Sequence, residues 1–386
     1  MEISLDSIRK RLSEVLSISS VTGQEKELGN YLKNYMKELG LYVETEEVAN
    51  GRFNVYGRTR NSTRKPRVML NGHYDVVPEG SGWTRPAFGG RVEGAKIFGR
   101  GASDMKGGVV AMIEAASAIQ RNSKNDVEED VIVAAVVDEE ETQAGTKKIV
   151  ESGLIPSCAI VGEPTRSGVV IAHKGEVVFE IRVEGKSAHS SVPDKGVNSI
   201  YHAARIVREL ELESKRLGEK KSKNNHPLLG QPTISVDMID GGNGPAIVPA
   251  ETTIVVDRRM LPGEDPKEIQ RGFEKTINRL RKERGLQNLK ASVKPLISAY
   301  PLEIPRNNPL VKAAMKSCTK VLGRQSRPFG VPYTTDGWIL SNAGVPTIIL
   351  GPGDIDRAHK PDEWVSLDEV WKASQIYYEI ATTVSS

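Results

Sequence analysis

Apolar residues recur at helical spacing near the start of the chain. Leu5, Ile8, Leu12 and Leu16 lie three or four positions apart and predict an amphipathic helix. A second helix is expected to open on a capping box, Thr22 with Glu25 three residues on. It should run through Leu28, Leu32, Met36 and Leu39 and stop at Gly40. Short strands are expected at Leu41 to Val48, Phe53 to Tyr56 and Arg67 to Asn71. A helix from about Met105 to Arg121 leads to the β-branched run Val131 to Val137, which is apolar on both faces and fits a fully covered strand in a mostly parallel sheet. Another helix, near Thr146 to Ser152, precedes a strand at Cys158 to Val161.

From about Glu176 the pattern changes to strand, helix (Val197 to Leu217), two strands, helix (Pro266 to Arg284) and strand. That is the β-α-β-β-α-β order of a ferredoxin-like sandwich, a self-sufficient folding unit. The earlier alternation resumes with a helix at Pro309 to Leu322, a strand at Pro346 to Leu350 and a last helix from about Leu367. The expected architecture is α/β: a mixed, mostly parallel sheet flanked by helices, built from residues 1–175 and 299–386, with a smaller unit inserted at 176–298.

Composition narrows the function classes. The chain has 386 residues, 53 basic and 50 acidic, so its net charge of +3 gives no electrostatic footprint for nucleic acid. No apolar stretch approaches the roughly 18 residues of a membrane span, and MEISLDSIRKRL lacks the apolar core of a signal peptide. Cys158 and Cys318 read as reduced thiols of a cytoplasmic enzyme. The Lys-rich stretch Glu213 to Asn225 reads as a solvated loop.

The chemistry-bearing residues collect where strands end. His73 and Asp75 follow the strand at Arg67 to Asn71, and Asp104 stands immediately before a helix. Asp138, Glu139 and Glu140 end the apolar run, Glu163 follows Cys158 to Val161, and His359 comes shortly after the strand at Pro346 to Leu350. In an open α/β sheet, ligands bind outside the carboxyl ends of the strands, so topology alone brings five segments to one rim. Each piece is weak by itself: a His-x-Asp is commonly polar surface and a Glu run is commonly a solvated helix start. Together, two histidines and several carboxylates without cysteine suit zinc or another borderline divalent ion. Two such ions carry four charges, which Asp104, Glu140, Glu163 and a bridging hydroxide would neutralise. A pair of ions about 3.5–4 Å apart needs a bridging carboxylate, for which Asp104 is the natural candidate. Asp75 is placed to orient the His73 ring as an acceptor.

These segments carry a resemblance. GHYDVVP, GRGASDMKGG, DEEET, GEPT, GKSAHSSVP, DRRMLPGE and GPGDIDRAHKPDE resemble, in order and across nearly the whole chain, the co-catalytic zinc metallopeptidases. That family includes acetylornithine deacetylase, succinyl-diaminopimelate desuccinylase, aminoacylase and bacterial glutamate carboxypeptidase. The resemblance implies two zinc ions per subunit, with cobalt or manganese also acceptable: His73 and Glu163 on one, Glu140 and His359 on the other, and Asp104 bridging. It implies a cis peptide after Asp104, Glu139 as general base, and an inserted domain that closes over the site and pairs two subunits as a homodimer. In that dimer His189 would reach the partner's site and stabilise the oxyanion. Arg259 would clamp a substrate carboxylate, and Gly351 and Gly353 would let a loop approach the substrate, a simple turn being the alternative. One departure stands out: relatives commonly carry Asn three residues before the lid proline, whereas Ala246 precedes Pro249 here.

The leading reading is a di-zinc amidohydrolase that removes the acyl group of an N-acylated amino acid. A metal-dependent carboxypeptidase or dipeptidase acting on short peptides is the alternative, and a non-catalytic binding protein or a polyanion binder the less favoured ones.

Overall fold

The run Val131–Val136 is buried at every position, and so is its neighbour Val68–His73. The two pair in parallel with His73 opposite Val136. Cys158–Val161 joins Val68–His73 in parallel on its other side, and Thr347–Ile349 joins Cys158–Val161 in the same sense. Antiparallel strands extend this parallel centre: Arg52–Arg58 pairs with Val131–Val136, Tyr42–Ala49 with Arg52–Arg58, and Val170 with Ile349. The sheet is therefore mixed, with parallel strands where both faces must be covered. The computed structural model describes residues 3–61, 65–122, 130–219, 225–325 and 327–384.

Helix Gly107–Asn122 packs on the central strands and is buried from Gly107 to Ile119, so its apolar residues surround it rather than forming a stripe. The helices Leu5–Ser17 and Leu367–Thr383 pack on it in turn. Its one buried carboxylate, Glu114, accepts the Ser7 hydroxyl at 2.6 Å and the Tyr35 hydroxyl at 2.8 Å, which satisfies it and ties in the first two helices. Each fully buried aliphatic side chain in this layer contributes about 1.5–3 kcal/mol.

Several boundaries move. His73 closes its strand instead of following it. The capping box at Thr22 and Glu25 does not form: helix Lys26–Glu38 has no side-chain cap. The Thr22 hydroxyl instead donates to Asp75 Oδ2 at 3.0 Å, and the buried Glu25 carboxylate takes Arg52 Nε at 2.8 Å and Nη2 at 2.5 Å. A two-pronged guanidinium is a stronger partner for a buried carboxylate than one helical N–H. The helix expected to Arg284 stops at Leu280, and the Arg281 side chain donates to the carbonyls of Leu289 and Ala291. A three-stranded sheet of Arg91–Glu93, Lys96–Phe98 and Trp364–Ser366 lies in segments too short to show an alternation.

A second compact unit comprises Ala172–Glu303 and Gly330–Thr334. Within it, Thr233–Gly241, Glu251–Met260, Gly175–Glu184 and Lys290–Ala299 form an antiparallel sheet in that order. Gly175–Glu184 alternates strictly, burying Val177, Phe179, Ile181 and Val183. They pack under helices Ser199–Leu217 and Pro266–Leu280, with Phe179 and Phe273 edge to face at 5.2 Å. Both helices carry side-chain caps, Asn198 and Asp265.

Among the described residues no helix is long and apolar enough to cross a membrane. Both cysteines are free and buried. Of the Lys-rich stretch, residues up to Leu217 continue a helix and 220–224 lie outside the described residues.

Candidate metal centre

Four parallel strands end side by side, and each delivers a chemical group. His73 is the last residue of its strand, and the Tyr74 N–H bonds to the Val136 carbonyl at 2.9 Å. The loop after Val131–Val136 turns sharply at Asp138, which sits at φ 69. Arg52 Nη2 holds the Asp138 carboxylate at 2.6 Å, and this guanidinium also binds Glu25. Glu139 and Glu140 follow. Gly162 bonds to the Asn71 carbonyl at 3.0 Å and leads to Glu163. From Thr347–Ile349 the chain passes Gly351 and Gly353 to His359, itself at φ 60.

The side chains converge on Asp104. His73 Nε2 lies 3.3 Å from Asp104 Oδ1 and 3.7 Å from Glu163 Oε1. His359 Nε2 lies 3.4 Å from Asp104 Oδ2 and 3.1 Å from Glu140 Oε2. The two oxygens of one carboxylate thus face two different histidines. Ligand-capable atoms of His73, Asp104 and Glu140 lie within 4.8 Å of one another, and so do those of His73, Glu139 and Glu163. Asp104 stands in a tight turn, Ala102–Lys106, and the Asp104–Met105 peptide is cis.

Asp75 meets the His73 ring through its main chain. The His73 ring uses Nδ1 to donate to the main-chain carbonyl of Asp75 at 2.9 Å, while the Asp75 carboxylate is 3.6 Å away. A carbonyl only accepts, so Nδ1 carries a proton here, and Nε2 is the nitrogen turned toward Asp104 and Glu163. The carboxylate is engaged elsewhere: it accepts the N–H groups of Glu139 at 3.1 Å and Glu140 at 3.2 Å.

The centre is crowded with buried acids. Burial raises the Glu139 carboxyl well above the ordinary range; His73 opposes this, while Asp336, Glu140 and Asp104 reinforce it. Burial also raises Glu163, helped by Asp104. Asp104 is held low: the His359 and His73 hydrogen bonds outweigh its burial. The bonds to Asp104 and Glu140 raise His359 to about 10. Glu163 Oε1 is buried without a hydrogen-bond partner. Buried carboxylates in this number need cations, and the imidazole and carboxylate set with an unpartnered oxygen fits divalent metal.

Other expected site residues lie elsewhere in the chain. Gly353 is at φ 87, and a Cβ there would meet Ser103 Oγ at 2.5 Å; one at Gly351 would meet the Gly162 carbonyl at 2.0 Å. Packing of the protein against itself therefore already requires both glycines. In the second unit, His189 is exposed, with Nδ1 2.7 Å from Ser191 Oγ. Its strand segment pairs with Ile247, and the Ser190 N–H bonds to the carbonyl of Ala246, which sits at φ 64. Arg259 is half-buried and binds Asp257 at 2.9 Å and Glu176 at 3.0 Å.

Sequence reasoning missed three supports. Asp336 is buried, accepts the Thr146 hydroxyl at 2.6 Å and is raised to about 7, mainly by burial. Glu363 accepts the N–H groups of Ser103 and Asp104, and Arg100 pairs with Glu363. Arg100 and Glu363 lie inside the GRG and KPDE segments, so they were visible but had no assigned role.

Residues 69–383 match the model of peptidase family M20/M25/M40. The chain is 32% identical over 344 residues to an acetylornithine deacetylase of Edwardsiella ictaluri, covering 87% of this chain and 85% of that protein. Among solved structures, an M20 family metallo-carboxypeptidase of Sulfolobus solfataricus has a similar fold, with TM-score 0.78 and 24% identity over 98% of this chain and 99% of that one. A dinuclear metal-binding M20 peptidase of Bacillus subtilis is also similar in fold, at TM-score 0.71 and 16% identity over 98% and 99% of the two chains.

Proposed function

The chain belongs to peptidase family M20/M25/M40 and is a hydrolase of amide bonds, and from that premise we propose that it removes the acyl group of an N-acylated amino acid with two zinc ions. The observation that carries the two-metal reading is Asp104, whose Oδ1 faces His73 and Oδ2 faces His359. In this reading His73 and Glu163 would hold one ion, Glu140 and His359 would hold the other, and Asp104 would contribute a carboxylate oxygen to each. Bound ions of this kind polarise an amide carbonyl and make water acidic enough to attack at neutral pH. Cobalt or manganese would suit the same donors.

Glu139 accepts the proton of the attacking water and delivers it to the leaving nitrogen, so that water adds to the acyl carbon as the C–N bond breaks. A carboxylate placed beside the proposed metal ligands is suited to both transfers. Asp75 holds the main chain of Glu139 and Glu140 and so fixes where the base sits. His189 stabilises the oxyanion of a partner subunit, and Arg259 receives the substrate carboxylate by giving up part of its hold on Asp257 and Glu176. Gly353 belongs to the loop that the substrate approaches. Pairing as a homodimer through the second unit is supported by its apolar surface: Tyr201, Met238 and Ile239 are 72%, 63% and 55% exposed. Its buried free thiols accord with a cytoplasmic setting.

A panel of N-acetyl-ornithine, N-succinyl-diaminopimelate, other N-acyl amino acids and unblocked dipeptides tests the reading on zinc-loaded protein. Turnover of N-acyl amino acids above dipeptides is expected. Preference for free dipeptides would make the enzyme a peptidase, and absence of bound metal would remove the mechanism.

A further inference from the structure

Behind the metal-facing side chains lies a buried ion pair, Arg100–Glu363, with the two side chains 3% and 1% exposed. Glu363 Oε1 accepts two successive main-chain N–H groups, Ser103 at 2.9 Å and Asp104 at 3.1 Å. Oε2 accepts Arg100 Nη1 at 2.8 Å. Arg100 also donates to the Lys360 carbonyl at 3.3 Å, the Glu79 carbonyl at 3.1 Å and the Pro78 carbonyl at 3.4 Å. One pair of side chains therefore reaches the turn holding Asp104, the residue after His359, and the end of the loop that begins at His73.

The turn needs such a partner. Asp104 and Met105 have non-helical backbone angles, so the neighbouring N–H groups enter no regular helix ladder. A buried N–H left without an acceptor costs about 1–3 kcal/mol. One carboxylate taking both N–H groups also sets the orientation of the peptides from which the Asp104 side chain projects. A buried ion pair contributes little net stability by itself, which leaves specification of geometry as the gain.

We propose that Glu363 and Arg100 are positioning residues that set Asp104 and His359 relative to each other for metal binding. This rests on the reading of Asp104 and His359 as metal ligands.

Zinc affinity, measured on the full-length protein by competition with a chromophoric chelator, tests it. Glu363→Ala is expected to weaken zinc binding by about 10–100-fold, the range for residues that orient metal ligands. Glu363→Gln, which keeps one oxygen for the two N–H groups, should fall between Glu363→Ala and the wild type, and carries the test if Glu363→Ala does not fold. At saturating zinc, kcat should fall with KM little changed. Arg58→Met is the control: it breaks another buried pair, Arg58–Asp130 at 2.6 Å, on a strand without candidate ligands. It should lower stability and leave zinc affinity intact. Zinc affinity within about threefold of wild type in both Glu363 variants overturns the positioning role alone, as does an equal loss in Arg58→Met. A wild type that binds no zinc overturns the metal-centre reading and the positioning role with it.

Discussion

The main-chain N–H of Glu139 donates to the carboxylate of Asp75 at 3.1 Å, so the strand end that carries His73 also anchors the loop that carries the proposed base. The same carboxylate accepts Glu140 at 3.2 Å and the Thr22 hydroxyl at 3.0 Å. Asn at position 75 has one oxygen for these three donors and turns an NH₂ group toward one of them. Asp75→Asn is expected to lower kcat by about 10–100-fold. Zinc content should be nearly unchanged, because His73 is oriented by the Asp75 carbonyl, which Asn retains. Steady-state kinetics with parallel metal analysis checks this; lost zinc would contradict the division of labour.

Glu139→Gln keeps the size of the side chain and removes its ability to take a proton. Turnover should drop by about 10²–10⁴-fold, with metal content and KM near wild type. If the variant keeps most of its activity, another group is the base.

Arg52 is the counter-ion of two buried acids, Glu25 and Asp138. Arg52→Met leaves Glu25, which is fully buried, without its partner, and should destabilise the protein by about 3 kcal/mol. Denaturant unfolding measures it. Asp138, which begins the loop carrying Glu139, loses its ion pair and keeps, among the described residues, only Thr142 and Ala144, so activity per folded molecule should fall as well.

His173 supplies a pH dependence away from the candidate metal ligands. Burial lowers its pKa from 6.5 to about 4, and Nδ1 lies 2.8 Å from the Lys174 carbonyl. A depressed histidine binds its proton in the unfolded chain first, so its contribution is intact above about 6.5 and stability falls as pH drops toward about 4. The full loss is on the order of 3 kcal/mol. Urea midpoints across this window should decline less steeply for His173→Gln than for wild type; identical slopes would exclude the account.

Ala246 occupies the left-handed region at φ 64, where an Ala side chain is strained and Asn or Gly is tolerated. Ala246→Asn should raise stability by about 1 kcal/mol, read as a higher unfolding temperature. Any change in KM would show whether this position, whose carbonyl holds the Ser190 N–H beside His189, also contacts substrate.

Local patterning carries most of the architecture. The strand at Cys158–Val161 and the helix at Pro309–Leu322 fall where hydrophobic periodicity puts them, because each buries one continuous apolar surface. Short elements are less legible. Phe329–Val331 and Trp364–Ser366 are three residues long and exist only because a distant strand offers its edge. Thr22 and Glu25 show how a local rule is overridden: their spacing suits a helix cap, but Asp75 and Arg52 lie closer in strength and reach once the chain has folded.

By itself the sequence determined which residue types end the central strands, and with them the family and the class of chemistry, since periodicity and topology need only neighbouring residues to act. The tertiary structure alone decided that one carboxylate, Asp104, faces both His73 and His359, that Asp75 uses its carbonyl for the ring and its carboxylate for the loop, and that Arg100 and Glu363 stand behind the turn. Those relationships join groups far apart in the chain, held by charge and hydrogen bonding in a buried site. No local pattern encodes a partner that only folding brings within 3–4 Å.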